Sequence, residues 1–176
     1  VEVGKTFGDV RAPIEGVFFE VATFRQDHAY KDGRRPHTVT YSDPSTDASR
    51  RDFTVNAMFY DPVSETLRDY VGGKDDLSSR LIRCVGDPVE RFKEDHLRML
   101  RAARFAAVLG FSIEPTTSSA ITKNSHLIQR ISAERVRDEL IRTLTESQRP
   151  GDAVTLLDSL GPLKYVLPEV STMKGV

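Results

Sequence analysis

Glu90-Arg91-Phe92-Lys93-Glu94-Asp95-His96-Leu97-Arg98-Met99-Leu100-Arg101-Ala102-Ala103-Arg104-Phe105 is the stretch that organises this chain. Wound as a helix at about 100° per residue, it puts Glu94, Arg98, Arg101 and Arg91 within roughly 80° of one another, with Asp95 and Arg104 flanking. Phe92, Met99, Leu100, Ala103 and Ala107 take the opposite side, an apolar stripe suited to a core. The spacing predicts one helix over residues 88–109, closed by Gly110 as its C-cap. One side of it packs, and the other offers guanidinium donors beside carboxylate acceptors. The same spacing also describes a solvated helix laced with ion pairs, each contributing about 0.2–0.5 kcal/mol.

A second segment of the same character lies upstream, Ser49-Arg50-Arg51-Asp52-Phe53-Thr54-Val55-Asn56-Ala57-Met58. With Asp47 as cap, it reads as a helix running to about Ala57. Around it the first half is strand-like. Residues 8–14 and 17–24 are β-rich and separated by Glu15-Gly16, a hairpin signal, and 58–61 with 66–70 make a second hairpin. Residues 27–36 are polar, contain Gly33 and Pro36, and read as a loop, followed by a short strand at 39–41. Beyond residue 88 the pattern turns helical, with helices over 116–124, 133–145 (capped by Ser132) and 152–160. Strands followed by helices predict an α+β fold in two parts, residues 1–86 and 87–176.

Composition fits a globular piece: 176 residues, 39% hydrophobic, 29% charged, net charge −1. No run approaches the roughly 18 apolar residues of a membrane span and no signal peptide is visible, so the expected compartment is the cytoplasm. The lone Cys84 excludes an intrachain disulfide and a cysteine-based zinc cluster. His28, His37, His96 and His126 lack zinc-ligand spacing and read as surface or packing residues. Gly4-Lys5-Thr6 is too little for a phosphate-binding P-loop.

Arg50-Arg51-Asp52-Phe53-Thr54-Val55-Asn56-Ala57 and Glu94-Asp95-His96-Leu97-Arg98 resemble two motifs of the class II tRNA nucleotidyltransferases, the CCA-adding enzymes, and of their relatives the bacterial poly(A) polymerases. The similarity continues through Asp69-Tyr70-Val71-Gly72-Gly73, Leu81-Ile82-Arg83, Val85-Gly86-Asp87-Pro88 and Arg101-Ala102-Ala103-Arg104-Phe105-Ala106. It implies the end of a polymerase-β-like nucleotidyltransferase head, a mixed sheet with helices, followed by an all-helical neck. The implied activity is template-independent addition of CMP and AMP, from CTP and ATP, to the 3′ end of tRNA. Tyr30-Lys31-Asp32-Gly33-Arg34-Arg35-Pro36 and His96-Leu97 lean toward CCA addition over poly(A) synthesis. The segment at 32–36 also resembles one bordering a mobile loop that helps switch specificity; a plain polar loop is the other reading.

The family carries an Asp-x-Asp pair that holds catalytic magnesium ions, and these 176 residues contain none. The chain therefore reads as an internal piece, expected to be inactive alone, and a non-catalytic RNA-binding remnant stays open as a third reading. By resemblance, Glu20 is the remaining candidate for the catalytic carboxylates. Arg101 and Arg104 suit the triphosphate, because a guanidinium fork binds phosphate oxygens bidentately. Arg51 matches the arginine that contacts the nucleotide, and Asp52 and Asn56 are placed for the ribose; Arg50 is ambiguous. Asp95 and Arg98 match the pair that reads the base. A carboxylate only accepts hydrogen bonds and so favours the amino group of cytosine or adenine, while a guanidinium only donates and suits the neighbouring ring nitrogen or carbonyl.

Overall fold

The computed structural model describes residues 9–31 and 35–173. Strands β1 (Asp9–Ile14) and β2 (Val17–Ala22) form the expected hairpin, turned by Glu15 at φ 50° and Gly16 at φ 82°. Two successive positive φ values belong to the tight turn whose twist matches that of the flanking strands. β5 (Met58–Asp61) and β6 (Thr66–Asp69) form the second hairpin, with the Asp61 carboxylate accepting from the Val63 and Ser64 amides.

The polar stretch read as a loop is instead largely strand. β3 (Arg25–Lys31) pairs antiparallel with β4 (Arg35–Tyr41), and Asp32-Gly33-Arg34 lie outside the described residues. A two-stranded ribbon takes its hydrogen bonds from the backbone and tolerates Pro36 on an edge, so it needs no apolar alternation. The α+β composition holds. Among the described residues the strands form four two-stranded ribbons, the last being the parallel pair of β7 (Leu81–Ile82) with β8 (Ser112–Ile113).

Two helices differ from expectation. Asp43, not Asp47, caps α1 (Pro44–Ser49), its carboxylate accepting from the Ser45 and Thr46 amides. Asp47 is buried one turn later, and the helix stops at Ser49. Arg50 to Phe53 then form a turn into a 3-10 turn at Thr54–Asn56. The helix expected over 88–109 is split into α3 (Pro88–Glu94) and α4 (Arg98–Leu109). Asp95 sits between them in extended backbone (φ −148°, ψ 107°), its Oδ1 accepting from the Leu97 amide at 3.0 Å. A short carboxylate that captures a backbone N–H two residues on competes with helix continuation, and here it wins.

Helices α5 (Pro115–Asn124), α6 (Ala133–Glu146) and α7 (Pro150–Leu160) fall close to their expected places, and short α8 (Leu163–Val166) and α9 (Pro168–Ser171) follow. Ser132 occupies the N-cap position of α6 without a side-chain capping bond. The apolar side of α4 lies where the stripe requires: Met99, Leu100 and Ala103 are buried with Phe92, Ile121, Ile128 and Leu157. Phe53, Ile82 and Cys84 belong to the same cluster, so one core runs across the junction at residues 86 and 87.

α2 (Gly73–Ser78) touches the 3-10 turn closely. A Cβ on Gly73 would stand 2.3 Å from the Thr54 carbonyl oxygen and 2.9 Å from the Met58 side chain. A backbone atom cannot yield to it. Gly73→Ala should therefore lose about 1–3 kcal/mol of stability in denaturant unfolding, the range for overpacking, where alanine in place of an unconstrained glycine would stabilise.

Candidate functional site

The Asp95 break aims the two charged segments at each other. The Arg50–Phe53 turn is held to the strand-like 83–85 segment by backbone bonds, Thr54 N–H to Arg83 C=O and Val85 N–H to Asp52 C=O, with a Phe53–Cys84 bridge between them. This places Asp52 against α4. Between the turn, the Asp95 junction, α4 and α6 lies a cleft of about 570 Å³ lined by Arg51, Asp52, Asn56, Asp95, Arg98 and Arg101, with Arg50, Leu97, Phe105 and Arg135. Five guanidinium groups thus share one concavity with two carboxylates.

Each arginine is held by an acid from a defined direction. Arg101 donates to Asp52 Oδ2 through Nε (2.8 Å) and Nη2 (2.6 Å), and its guanidinium also lies over the Phe105 ring. Asp52 Oδ1 accepts from the Phe53 amide and, at 3.4 Å, from the Asn56 amide group. Glu94 bridges Arg91 (2.5 Å) and Arg98 (2.6 Å), and Arg98 further donates to the carbonyls of Arg91 and Arg50. Asp95 accepts from Arg135 on α6 at 2.8 Å.

Behind the cleft, the buried Asp47 carboxylate accepts from the side chains of Arg50 and Arg51 and from the Arg25 amide of β3. Burial alone would raise its pKa, but the hydrogen bonds from Arg50, Arg25 and Arg51 and the charge of Arg50 hold it below the ordinary carboxylate value. Cys84 takes no part in the chemistry. Burial pushes its thiol up to about 12, so it stays protonated and inert.

Six of the seven residues assigned to the nucleotide by resemblance meet in this cleft. Arg104 does not. Its side chain is 3% exposed, bonded to Glu139 of α6 at 2.5 Å and near Glu146 at 3.5 Å, and it lies over the Phe105 ring. Three residues beyond Arg101, it is rotated about 300° around α4 and meets the neighbouring helix rather than the opening. Glu20 also stands apart. It is paired in register with Arg11 across the β1–β2 hairpin at 2.7 Å, with both side chains exposed. Among the described residues no group of three or more acidic, histidine or cysteine side chains could hold a metal ion, so the described residues do not fit a magnesium site. His96 is buried, its Nδ1 within 2.7 Å of the Phe92 carbonyl, and packs the helix break.

Three contributors escaped the sequence reading. Glu94 lies on the charged face, but nothing in the spacing marks it as the clamp on Arg98. Arg135 and Glu139 are one turn apart on α6 and reach α3–α4 from outside. A detectable signal existed for Glu139, a charge set among Val136, Leu140 and Thr143 on the inward stripe of an amphipathic helix.

A strand-rich part carrying an arginine–aspartate turn and a helical part carrying an acid–arginine junction thus meet at one cleft. Two families match in succession: the Poly A polymerase head domain over residues 1–83, and the probable RNA and SrmB-binding site of polymerase A over 110–174. The CCA-adding enzyme of Anoxybacillus flavithermus is 42% identical over 175 residues, 99% of this chain and 43% of its own length. That of Bacillus licheniformis is 46% identical over 145 residues, 82% of this chain and 36% of its own. The crystal structure of the Bacillus stearothermophilus CCA-adding enzyme in complex with CTP superposes with a TM-score of 0.83 at 37% identity, covering 93% of this chain and 39% of that one. The chain belongs to the family of CCA-adding tRNA nucleotidyltransferases and bacterial poly(A) polymerases. It spans less than half the length of these relatives.

Asp47 makes stability pH-dependent in a determined direction. Its folded pKa lies below the ordinary 3.8, so its contribution is complete above about pH 4 and is lost as pH falls through the lowered folded value. Asp69, whose burial is outweighed by four backbone amides, and Glu114, with Thr117 as donor, act in the same sense. Asp47→Asn should flatten the acid limb of a stability–pH profile measured by denaturant unfolding. Arg104→Ala, by leaving Glu139 buried and unpaired, should cost about 3–5 kcal/mol in the same assay.

Proposed function

We propose that this chain supplies the nucleotide-binding and base-selecting part of an enzyme that adds CMP and AMP, from CTP and ATP, to the 3′ end of tRNA without a nucleic-acid template. The observation that carries the reading is that Asp95 and Arg98 both line one arginine-rich cleft. The neighbours provide the ligand chemistry. One CCA-adding enzyme structure contains CTP, and another contains ATP, the latter with a TM-score of 0.75 at 27% identity.

The division of labour follows from charge and donor inventory. Arg101 and Arg51 offer fixed cations to the triphosphate, and Asp52 and Asn56 offer acceptors and donors to the ribose. Arg101 is pre-oriented by Asp52, so less side-chain freedom is lost when phosphate arrives. In the cleft, the Asp95 carboxylate accepts from an exocyclic amino group and Arg98 donates to the adjacent ring nitrogen. Uracil and guanine present a carbonyl to Asp95, and two acceptors facing each other without water are disfavoured. Cytosine and adenine are thereby selected by protein side chains alone. We place the head at residues 1–86 and the neck at 87–176, the tRNA 3′ end as acceptor, and the cytoplasm as the compartment; among the described residues no helix is long and apolar enough to cross a membrane.

The test uses the full-length protein that carries this sequence, with a tRNA ending before CCA and each of the four nucleotides. CMP and AMP incorporation supports tRNA completion, whereas long A-only products on unrelated RNA point to poly(A) synthesis. Arg101→Ala should weaken CTP and ATP alike by about 1.5–3 kcal/mol in kcat/KM, because phosphate contacts carry no base information, and lysine should restore only part. Asp95→Ala should instead erode the preference for CTP and ATP over UTP and GTP, by about 1–3 kcal/mol. A loss confined to one nucleotide in the first variant, or unchanged ratios in the second, contradicts the assignment.

A further inference from the structure

Arg51 shares its counter-ion with a second arginine. The buried Asp47 carboxylate gives Oδ1 to Arg50 at 2.6 Å and Oδ2 to Arg51 at 3.0 Å. Arg51 Nη1 also donates to the Asn56 carbonyl at 3.2 Å. These contacts are longer than the 2.8 and 2.6 Å by which Asp52 holds Arg101. They engage Nε, Nη2 and Nη1 from Asp47 and Asn56, and the guanidinium keeps a further N–H on each terminal nitrogen. An aromatic ring completes the seat. Arg51 Cζ lies over Phe59, 4.9 Å from the ring centroid. Phe59 stands on β5 and packs against Ala48, Ala57 and Val85, while Tyr60, the next residue, turns to the other face and is exposed. Phe24, in the link from β2 to β3, meets the Phe59 ring edge-on at 5.1 Å and 83°, and Tyr70 meets it at 6.4 Å and 58°.

We propose that Phe59 is a positioning residue for nucleotide binding: its ring seats the Arg51 guanidinium and sets the direction in which the remaining N–H groups meet the nucleotide. The inference rests on Arg51 contacting the nucleotide. Hydrogen bonds tolerate a broad range of angles, so long contacts to Asp47 and Asn56 leave a flat guanidinium able to rock out of its plane. A surface against its flat side resists that rocking. An aromatic ring does so with attraction, because the negative face of the π system draws the cation. An aliphatic side chain at 59 would fill the space without that field. The same attraction offsets the repulsion between Arg50 and Arg51, which crowd on one carboxylate. Edge-to-face packing by Phe24 holds the Phe59 ring in turn. Phe59 is not among the residues that line the cleft, so its influence on the nucleotide passes through Arg51. A guanidinium already oriented loses less freedom when the ligand binds, which places the effect in affinity.

The experiment measures kcat and KM for CTP and ATP in the full-length protein, with a tRNA ending before CCA, for Phe59→Leu, Phe59→Tyr, Arg51→Ala and the Phe59→Leu/Arg51→Ala double variant. Phe59→Leu should raise KM for both nucleotides alike by about two- to fivefold, the span of a partly exposed cation–π contact, with kcat little changed. Phe59→Tyr keeps the ring and should keep the wild-type KM. The double variant should be no worse than Arg51→Ala alone. A second series places phenylalanines of increasing ring fluorination at 59, which drains the π face and nearly preserves its shape. KM should climb stepwise along that series, whereas a ring that only fills space would leave it flat, and a flat series overturns the proposal. So does a Phe59→Leu variant with a lowered melting temperature and wild-type KM. If Arg51→Ala itself leaves KM unchanged, the assignment of Arg51 to the nucleotide falls and this inference with it. If Arg51→Ala raises KM while Phe59→Leu and the fluorinated series do not, the inference alone falls. Should Phe59→Leu not fold, the fluorinated series decides by itself.

Discussion

Guanidinium groups repel one another, and each of the five that border the cleft is held by a carboxylate, Arg50, Arg51 and Arg98 by an acid within four residues and Arg101 and Arg135 by one from a distant segment. Asp47 grips Arg50 and Arg51, Asp52 grips Arg101, Glu94 grips Arg91 and Arg98, and Asp95 takes Arg135. Isolated exposed pairs of this kind contribute little to stability. Here they are partly buried and interlocked, with backbone carbonyls of Arg25, Arg50 and Arg91 taking further donors. The lattice fixes where positive charge stands, which is the condition for binding an anion without first reorganising the site.

The lattice in turn depends on the break at Asp95. A continuous helix over 88–109 would have left Asp95 on a helical surface beside Glu94. The break turns α4 relative to α3 and brings Asp95 within reach of α6. The apolar core is indifferent to this change of direction, since Phe92 before it and Met99 after it are both fully buried. His96 fills the bend and takes up the Phe92 carbonyl. A single residue in extended conformation thus couples packing to the chemistry of the cleft.

Arg104 shows how two arginines three residues apart can diverge in role. Both lie over the Phe105 ring, at 5.3 and 4.2 Å from its centroid. Arg101 faces the opening with Asp52, and Arg104 faces the core with Glu139. A buried pair of this kind is better understood as a specification of how α6 seats on α4 than as a source of net stability, because desolvating both charges opposes their attraction. Its consequence for the cleft is indirect, through the helix that carries Arg135.

The sequence alone determined what local rules govern. The Glu15-Gly16 turn, the β5–β6 hairpin, the helical second half, the Gly110 cap and the apolar stripe of α4 all follow from periodicity and turn chemistry acting over a few residues. The two motifs and the Arg101–Ala106 segment after them named six of the cleft residues, because their resemblance to a family carries positional information that composition does not. Tertiary structure decided the rest. Asp95 breaks the helix through its own bond to the Leu97 amide, but the guanidinium that its other oxygen meets, Arg135, is forty residues away. Which of Arg101 and Arg104 turns outward depends on where α6 docks. The strands β3 and β4 carry no alternating pattern because a two-stranded ribbon is held by its backbone. Local sequence sets which groups are available, and only the packing of distant segments sets which of them meet.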